Sequence, residues 1–209
     1  MTQETPKKDT RMLLNRLQFL SDGVFILTMT LMVIQFDLPA VEAAIGTTGS
    51  SGLWHTLADT IGLYIITFIW IAFYWIENVA QFQYYQRTDS VHVWIQLLYV
   101  MCVAVIPYSN AIATKYGSDN RIQLLLNINI IVIGIFSALN WIYATYNHRL
   151  VSADLDQKVI ANGRIKSLME PGIALICTGL GLLSPALWDA WLLLFPLGYF
   201  IFEWRGSKE

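Results

Sequence analysis

Long apolar runs, each closed by a short polar cluster, repeat along the chain and predict helices throughout. They cover residues 13–36, 53–83, 91–113, 120–147, 167–183 and 188–204. A helix needs roughly 20 apolar residues to cross a bilayer, and runs of this length meet or approach that need. The first run stops at Asp37-Leu38-Pro39, where Pro39 opposes continuation of a helix. The Gly/Ser/Thr-rich stretch 41–52 then reads as a loop, and 148–166 reads as a polar connection. A short turn, SPALWD at 184–189, joins the last two runs. The second run is long, which predicts a tilted or protruding helix. The fold class expected is all-α: a polytopic membrane protein with six transmembrane helices in one domain, residues 1–209.

Composition narrows this further. Hydrophobic residues make up 56% of the 209 and charged residues 13%, about half the charged share of an ordinary soluble domain. A net charge of −2 offers no nucleic-acid footprint. Cys102 and Cys177 both lie inside apolar runs, where thiols are packing residues, and no disulfide is expected. The polar start, MTQETPKKDTRMLLNR, leads into an apolar run with no small-residue cleavage site after it. That run therefore reads as a retained first helix.

Cationic residues set an orientation. Lys7, Lys8, Arg11, Arg16, Arg87, Arg149, Lys158, Arg164, Lys166, Arg205 and Lys208 fall on one side of the six-segment layout, and only Lys115 and Arg121 on the other. The positive-inside rule then places both termini in the cytoplasm. Trp and Tyr gather near segment ends, as interfacial aromatics do: Trp54, Trp75, Tyr84, Tyr85, Trp188, Trp191 and Trp204.

Candidate chemistry is sparse. His55, His92 and His148 lie in different segments without metal-ligand spacing, and no nucleophile–base pair shares one depth. No cofactor and no enzymatic activity are expected. The first run is the informative one. At about 100° per residue, Leu27, Thr30, Leu31 and Ile34 fall within a wedge of about 100°, which Leu20, Gly23 and Val24 extend. Asp22 points nearly the opposite way, flanked by Ser21. A carboxylate there needs partners on neighbouring helices, since an unpaired charge in lipid is costly. Asn78, Glu77 and Trp94 lie at a similar depth and are the candidates. The competing reading of Asp22 is a helix cap at the interface.

The segment Arg16-Leu-Gln-Phe-Leu-Ser-Asp22 resembles the R-x-x-x-F-S-D signature of the transmembrane protein 175 family of potassium channels. Trp75–Phe82, WIENVAQF, is similar to that family's W-x-x-H-H-x-x-F region. Asp89 and Trp94 with the following LLYV, IPYSN at Ile106–Asn110, and KYG at Lys115–Gly117 resemble further elements of the family in order. The resemblance covers about the first 120 residues. Three positions depart from it: Leu20 replaces the signature Phe, and Asn78 and Val79 replace the two histidines. An amide at Asn78 can still donate and accept, but proton sensitivity based on imidazoles is lost.

The resemblance implies a bacterial member in the inner membrane, a homotetramer whose pore is lined by the first helix of each copy. It implies potassium ions as the transient occupants, and no T-V-G-Y-G filter, which this sequence also lacks. Leu27, Leu31 and Ile34 map to the constriction and Thr30 to a polar ring between them, with modest selectivity for potassium over sodium. Arg16, Ser21, Asp22, Asn78 and Trp94 map to the network that orients the helix, and Asp37 sits near the mouth. The alternative is a proton-coupled secondary transporter using Asp22 or Glu77, against which stands the absence of an internal repeat.

Overall fold

The computed structural model describes residues 5–35, 38–116 and 119–184, with isolated positions at 194, 197 and 198. Its five long helices are α1 (Thr5–Leu31), α2 (Leu38–Phe82), α3 (Ser90–Tyr116), α4 (Asn120–Thr145) and α5 (Gln157–Leu183). Short 3-10 turns at Met32–Gln35 and Tyr146–His148 follow α1 and α4. No strand occurs among the described residues; a single antiparallel bridge joins Tyr85 to Val151. The expected sixth segment, 188–204, falls almost wholly outside the described residues, as does Asp37.

Three helices begin at an aspartate that satisfies a free backbone N–H of the first turn. Asp89 accepts from His92 N at 3.0 Å, Asp119 from Arg121 N at 2.9 Å and Asp156 from Lys158 N at 3.0 Å. After α4 the chain reverses through Asn147 and His148, both left-handed with φ near 50°. Asn tolerates that region better than most residues. Leu150 N then reaches back to Ala144 O at 2.9 Å and closes the reversal.

Among the described residues four stretches are long and apolar enough to cross a membrane: Thr60–Phe82, Ser90–Ile112, Asn120–His148 and Gln157–Leu183. Helix α1 is not among them, because its first half is polar. Helix α4 is sandwiched between α3 and α5, while α1 packs on α3 and α2. The main core joins Phe25 of α1 with Ile71 and Tyr74 of α2, Tyr99 and Val103 of α3, Ile130 and Ile133 of α4, and Ala174 and Cys177 of α5. A second cluster lies at the bundle end near the α4–α5 connection and gathers Leu14, Leu17, Phe82, Tyr85, Trp141, Ala144, Leu150 and Val151. Two glycines bring α4 and α5 together. A Cβ on Gly134 would stand 2.7 Å from Pro171 Cδ, and one on Gly163 would collide with the Trp141 ring.

Two expected connections are helical instead. The Gly/Ser/Thr stretch 41–52 belongs to α2. Intrinsic propensity is a weak prior: each Gly costs about 1 kcal/mol against Ala, an amount that the surrounding helix overrides. Within 148–166, helix α5 already begins at Gln157, ten positions before the apolar run at 167–183. There Asp156 provides the start signal and Val159, Ile160 and Ile165 supply apolar positions within the polar sequence.

Candidate functional site

Helix α1 divides into two faces. Leu14, Leu17, Ser21, Phe25, Thr28 and Met32 recur every three or four residues and are all buried against α2, α3 and α4. Thr28 is accommodated there because its hydroxyl donates to Val24 O at 2.7 Å. On the other side Leu27 is 58% and Leu31 54% exposed, with Thr30 exposed between them. The Thr30 hydroxyl donates to Ile26 O at 2.9 Å and Leu27 O at 3.1 Å. Its proton is thereby committed to the backbone, and the oxygen presents lone pairs outward. Among the described residues nothing lies within 4 Å of a Cβ built on Gly23, so the stripe stays open one turn earlier. Ile34 lies in the 3-10 turn that ends this helix.

Behind the exposed stripe runs a chain of buried hydrogen bonds. Asn140 Nδ2 of α4 donates to Gln96 Oε1 of α3 at 2.9 Å, and Gln96 Nε2 donates to Ser21 Oγ of α1 at 2.9 Å. Ser21 in turn donates to Leu17 O at 2.9 Å. All three side chains are shielded from solvent, Ser21 and Gln96 completely. Every proton in the chain points from α4 through α3 toward α1, so one arrangement of the amides satisfies all three links. Each such bond contributes roughly 1 kcal/mol, while a broken one leaves a buried polar atom costing about 1–3 kcal/mol. The rotation of α1 about its own axis is therefore tied to α3 and α4.

Asp22 sits beside this chain and accepts a hydrogen bond from Trp75 Nε1 of α2 at 2.9 Å. The structure thus brings together Ser21 and Asp22 of the signature, each with a partner on another helix. It does not place Asn78 or Trp94 against Asp22: Asn78 is buried further along α2, and Trp94 is 66% exposed on the outside of α3. Arg16 is exposed. Glu77 lies instead 3.1 Å from Lys166 Nζ, a charge contact between α2 and α5.

A second polar cluster closes the bundle at the α2–α3 turn. The Asp89 carboxylate takes the Tyr143 hydroxyl at 2.8 Å and Arg149 Nε at 3.1 Å besides the His92 N–H. Partial burial opposes ionisation of Asp89, yet the His92 N–H, the Tyr143 hydroxyl and the Arg149 guanidinium together hold its pKa below the ordinary value. Arg149 also lies over the Tyr143 ring at 4.6 Å, and Arg87 Nε donates to Arg149 O at 2.7 Å. Gln96 and Asn140 were not singled out by sequence reasoning, and Trp75 was read as an interfacial aromatic and the start of WIENVAQF, not as a partner of Asp22. For the first two, the available signal was an amide standing alone in an apolar run: WIQLLYV and ALNWIY.

Residues 16–107 match the family described as endosomal/lysosomal potassium channel TMEM175. A potassium channel of Streptomyces collinus is 29% identical over 51% of this chain and 50% of its own length, so the match spans about half of that relative. A potassium channel of Chamaesiphon minutus is 23% identical over 81% of this chain and 84% of the relative. Among solved structures, the crystal structure of a lysosomal potassium-selective channel TMEM175 homolog from the same organism superposes with a TM-score of 0.76 at 20% identity. That superposition covers 92% of this chain and 97% of the other, and it shows a shared fold.

Proposed function

We propose that the chain, similar to the TMEM175 family of potassium channels over residues 16–107, is a potassium-permeable channel in which four copies surround one pore lined by α1. The observation that carries this reading is the exposed apolar stripe of α1. Leu14, Leu17, Ser21, Phe25 and Thr28 face the protomer core, and Leu27 and Leu31 nevertheless stay exposed on the other side. An apolar stripe kept off the protomer's own helices is free to meet copies of itself around an axis. Leu27, Leu31 and Ile34 form the constriction in this reading, which closes by excluding water between aliphatic walls. Thr30 supplies a ring of outward oxygen lone pairs that replaces part of a hydration shell when the helices part. Potassium holds its water less tightly than sodium, so such a ring favours it modestly.

Ser21, with Gln96 and Asn140 behind it, and Asp22, held by Trp75, act as props that keep the leucines turned toward the axis. Of the two carboxylates that the transporter alternative would use, Asp22 accepts from the Trp75 indole and Glu77 lies against Lys166. Potassium flux from vesicles containing the purified protein, with particle symmetry from the same preparation, tests the proposal. Downhill, non-saturating flux through four-fold particles is expected, and Thr30→Val should narrow the potassium-to-sodium ratio. Saturable uptake that requires a proton gradient, or a monomeric particle, overturns it.

A further inference from the structure

Helix α5 carries a carboxyl into the protomer core at Glu170, which is only 7% exposed. Its Oε1 is sealed from solvent and has no hydrogen-bond partner, and among the described residues Glu170 forms no ion pair. Tyr74 of α2 faces it with a hydroxyl that is likewise buried and without a partner. Tyr99 of α3 faces it too, but that hydroxyl donates to Tyr74 O at 3.2 Å. The charges nearby are Glu77 of α2 and Lys166 of α5, which stand 3.1 Å apart and answer each other. The buried residues of α4 include no titratable group.

This part of the core therefore holds two carboxyls and one ammonium. A carboxylate withdrawn from water needs a cation or several donors, and Glu170 is given neither. A second negative charge beside Glu77 would add repulsion. One proton removes both costs. It also supplies an O–H, which the oxygen of the facing Tyr74 can accept.

A path leads toward this carboxyl from one end of the bundle. Between α2, α4 and α5, remote from the α1 stripe, lies a cleft of about 250 Å³, with room for several waters. Ala80 and Tyr84 of α2, Trp141 of α4, and Lys166 and Ser167 of α5 help to line it. Its α2 residues belong to the last turns of that helix and its α5 residues to the first turns, so it opens at the end richer in Lys and Arg. Lys166 and Ser167 precede Glu170 by four and three positions. All three share one face of α5, and Glu170 lies one turn deeper than the cleft wall.

We infer that Glu170 is a proton-binding site within the membrane, faced by the Tyr74 hydroxyl and exchanging its proton with water in this cleft. A hydronium ion in the cleft gives its proton to the carboxylate and leaves as water; the reverse step releases it. The inference needs only a membrane-embedded protomer and does not rest on the pore reading.

Infrared spectroscopy of the purified full chain in phosphatidylglycerol vesicles tests it, because the C=O stretch of a carboxylic acid stands apart from the bands of a carboxylate. At neutral pH the parent should show a carboxylic-acid band that moves when glutamate is labelled with carbon-13 and is lost in Glu170→Gln. Transfer to heavy water should shift the band. Ala80→Leu narrows the cleft without touching the carboxyl, and should slow that shift severalfold. The label reports on the unmutated chain, so the measurement stands even if Glu170→Gln does not fold. No glutamate band at neutral pH, or one undiminished in Glu170→Gln, overturns the inference. So does a band that ignores heavy water, or an exchange no slower in Ala80→Leu.

Discussion

On one side of α1, Ser21 and Thr28 are packed among other helices; on the other, Leu27 and Leu31 lie bare. Leu14, Leu17 and Phe25 share the inner face with the two hydroxyls, so what sets the outer face apart is that its leucines have no partner among the described residues of the protomer. The inner face tolerates polar groups because each is bonded, Thr28 to its own helix and Ser21 also to α3. Without water as a competing partner, such bonds specify orientation more sharply than leucine packing does, because they demand one register. The outer face carries no such demand. Its leucines are interchangeable as far as the protomer is concerned, so their chemistry answers to whatever they meet outside it.

This contrast can be broken from the inside first. Gln96→Leu strands the Asn140 amide and removes the donor to Ser21, at a cost of about 2–5 kcal/mol. Thermal unfolding in detergent should show a large drop, and a variant as stable as the parent would mean that the chain does not hold α1. A smaller effect on stability is expected at the rim. Asp89→Asn weakens the cap of α3 and the contact with Arg149, and should cost about 1 kcal/mol at neutral pH. Because the folded-state pKa of Asp89 is lowered, its contribution is present above the ordinary carboxylate range and disappears as pH falls through the folded value. Hydrogen-exchange protection at the start of α3, taken relative to the intrinsic rate at each pH, should therefore fall in acid in the parent and show less pH dependence in Asp89→Asn. The outer face should respond least in stability. Leu27→Ala should change it by no more than about 0.5 kcal/mol while raising resting potassium flux severalfold. A strongly destabilised variant with unaltered flux would place Leu27 in the protomer core instead.

The same contrast explains what could be read in the sequence. Hydropathy located α3 and α4 within a few residues, since each is one long, mostly apolar run preceded by an aspartate. It could not show that 41–52 continues α2, because glycine and serine report on intrinsic propensity and not on the helix that carries them. Periodicity separated the leucine stripe from Asp22, both being set by α1 alone. The partners were harder to find. Trp94 and Gln96 lie two positions apart on α3, about 200° around the axis, so only one can face α1. Trp94 drew attention as a large aromatic at the right depth, yet it is the amide that turns inward. On α2, Trp75 rather than Asn78 reaches Asp22, a choice made by how α1 and α2 cross.

Gly134 lets Pro171 settle directly on the α4 backbone. Proline has no N–H to give to the carbonyl four residues earlier, so α5 is softest against flexing at the point where α4 presses on it. A weak joint braced in this way cannot bow alone. The helix that braces this joint is also the one that carries Asn140, whose amide reaches the serine of α1 by way of Gln96.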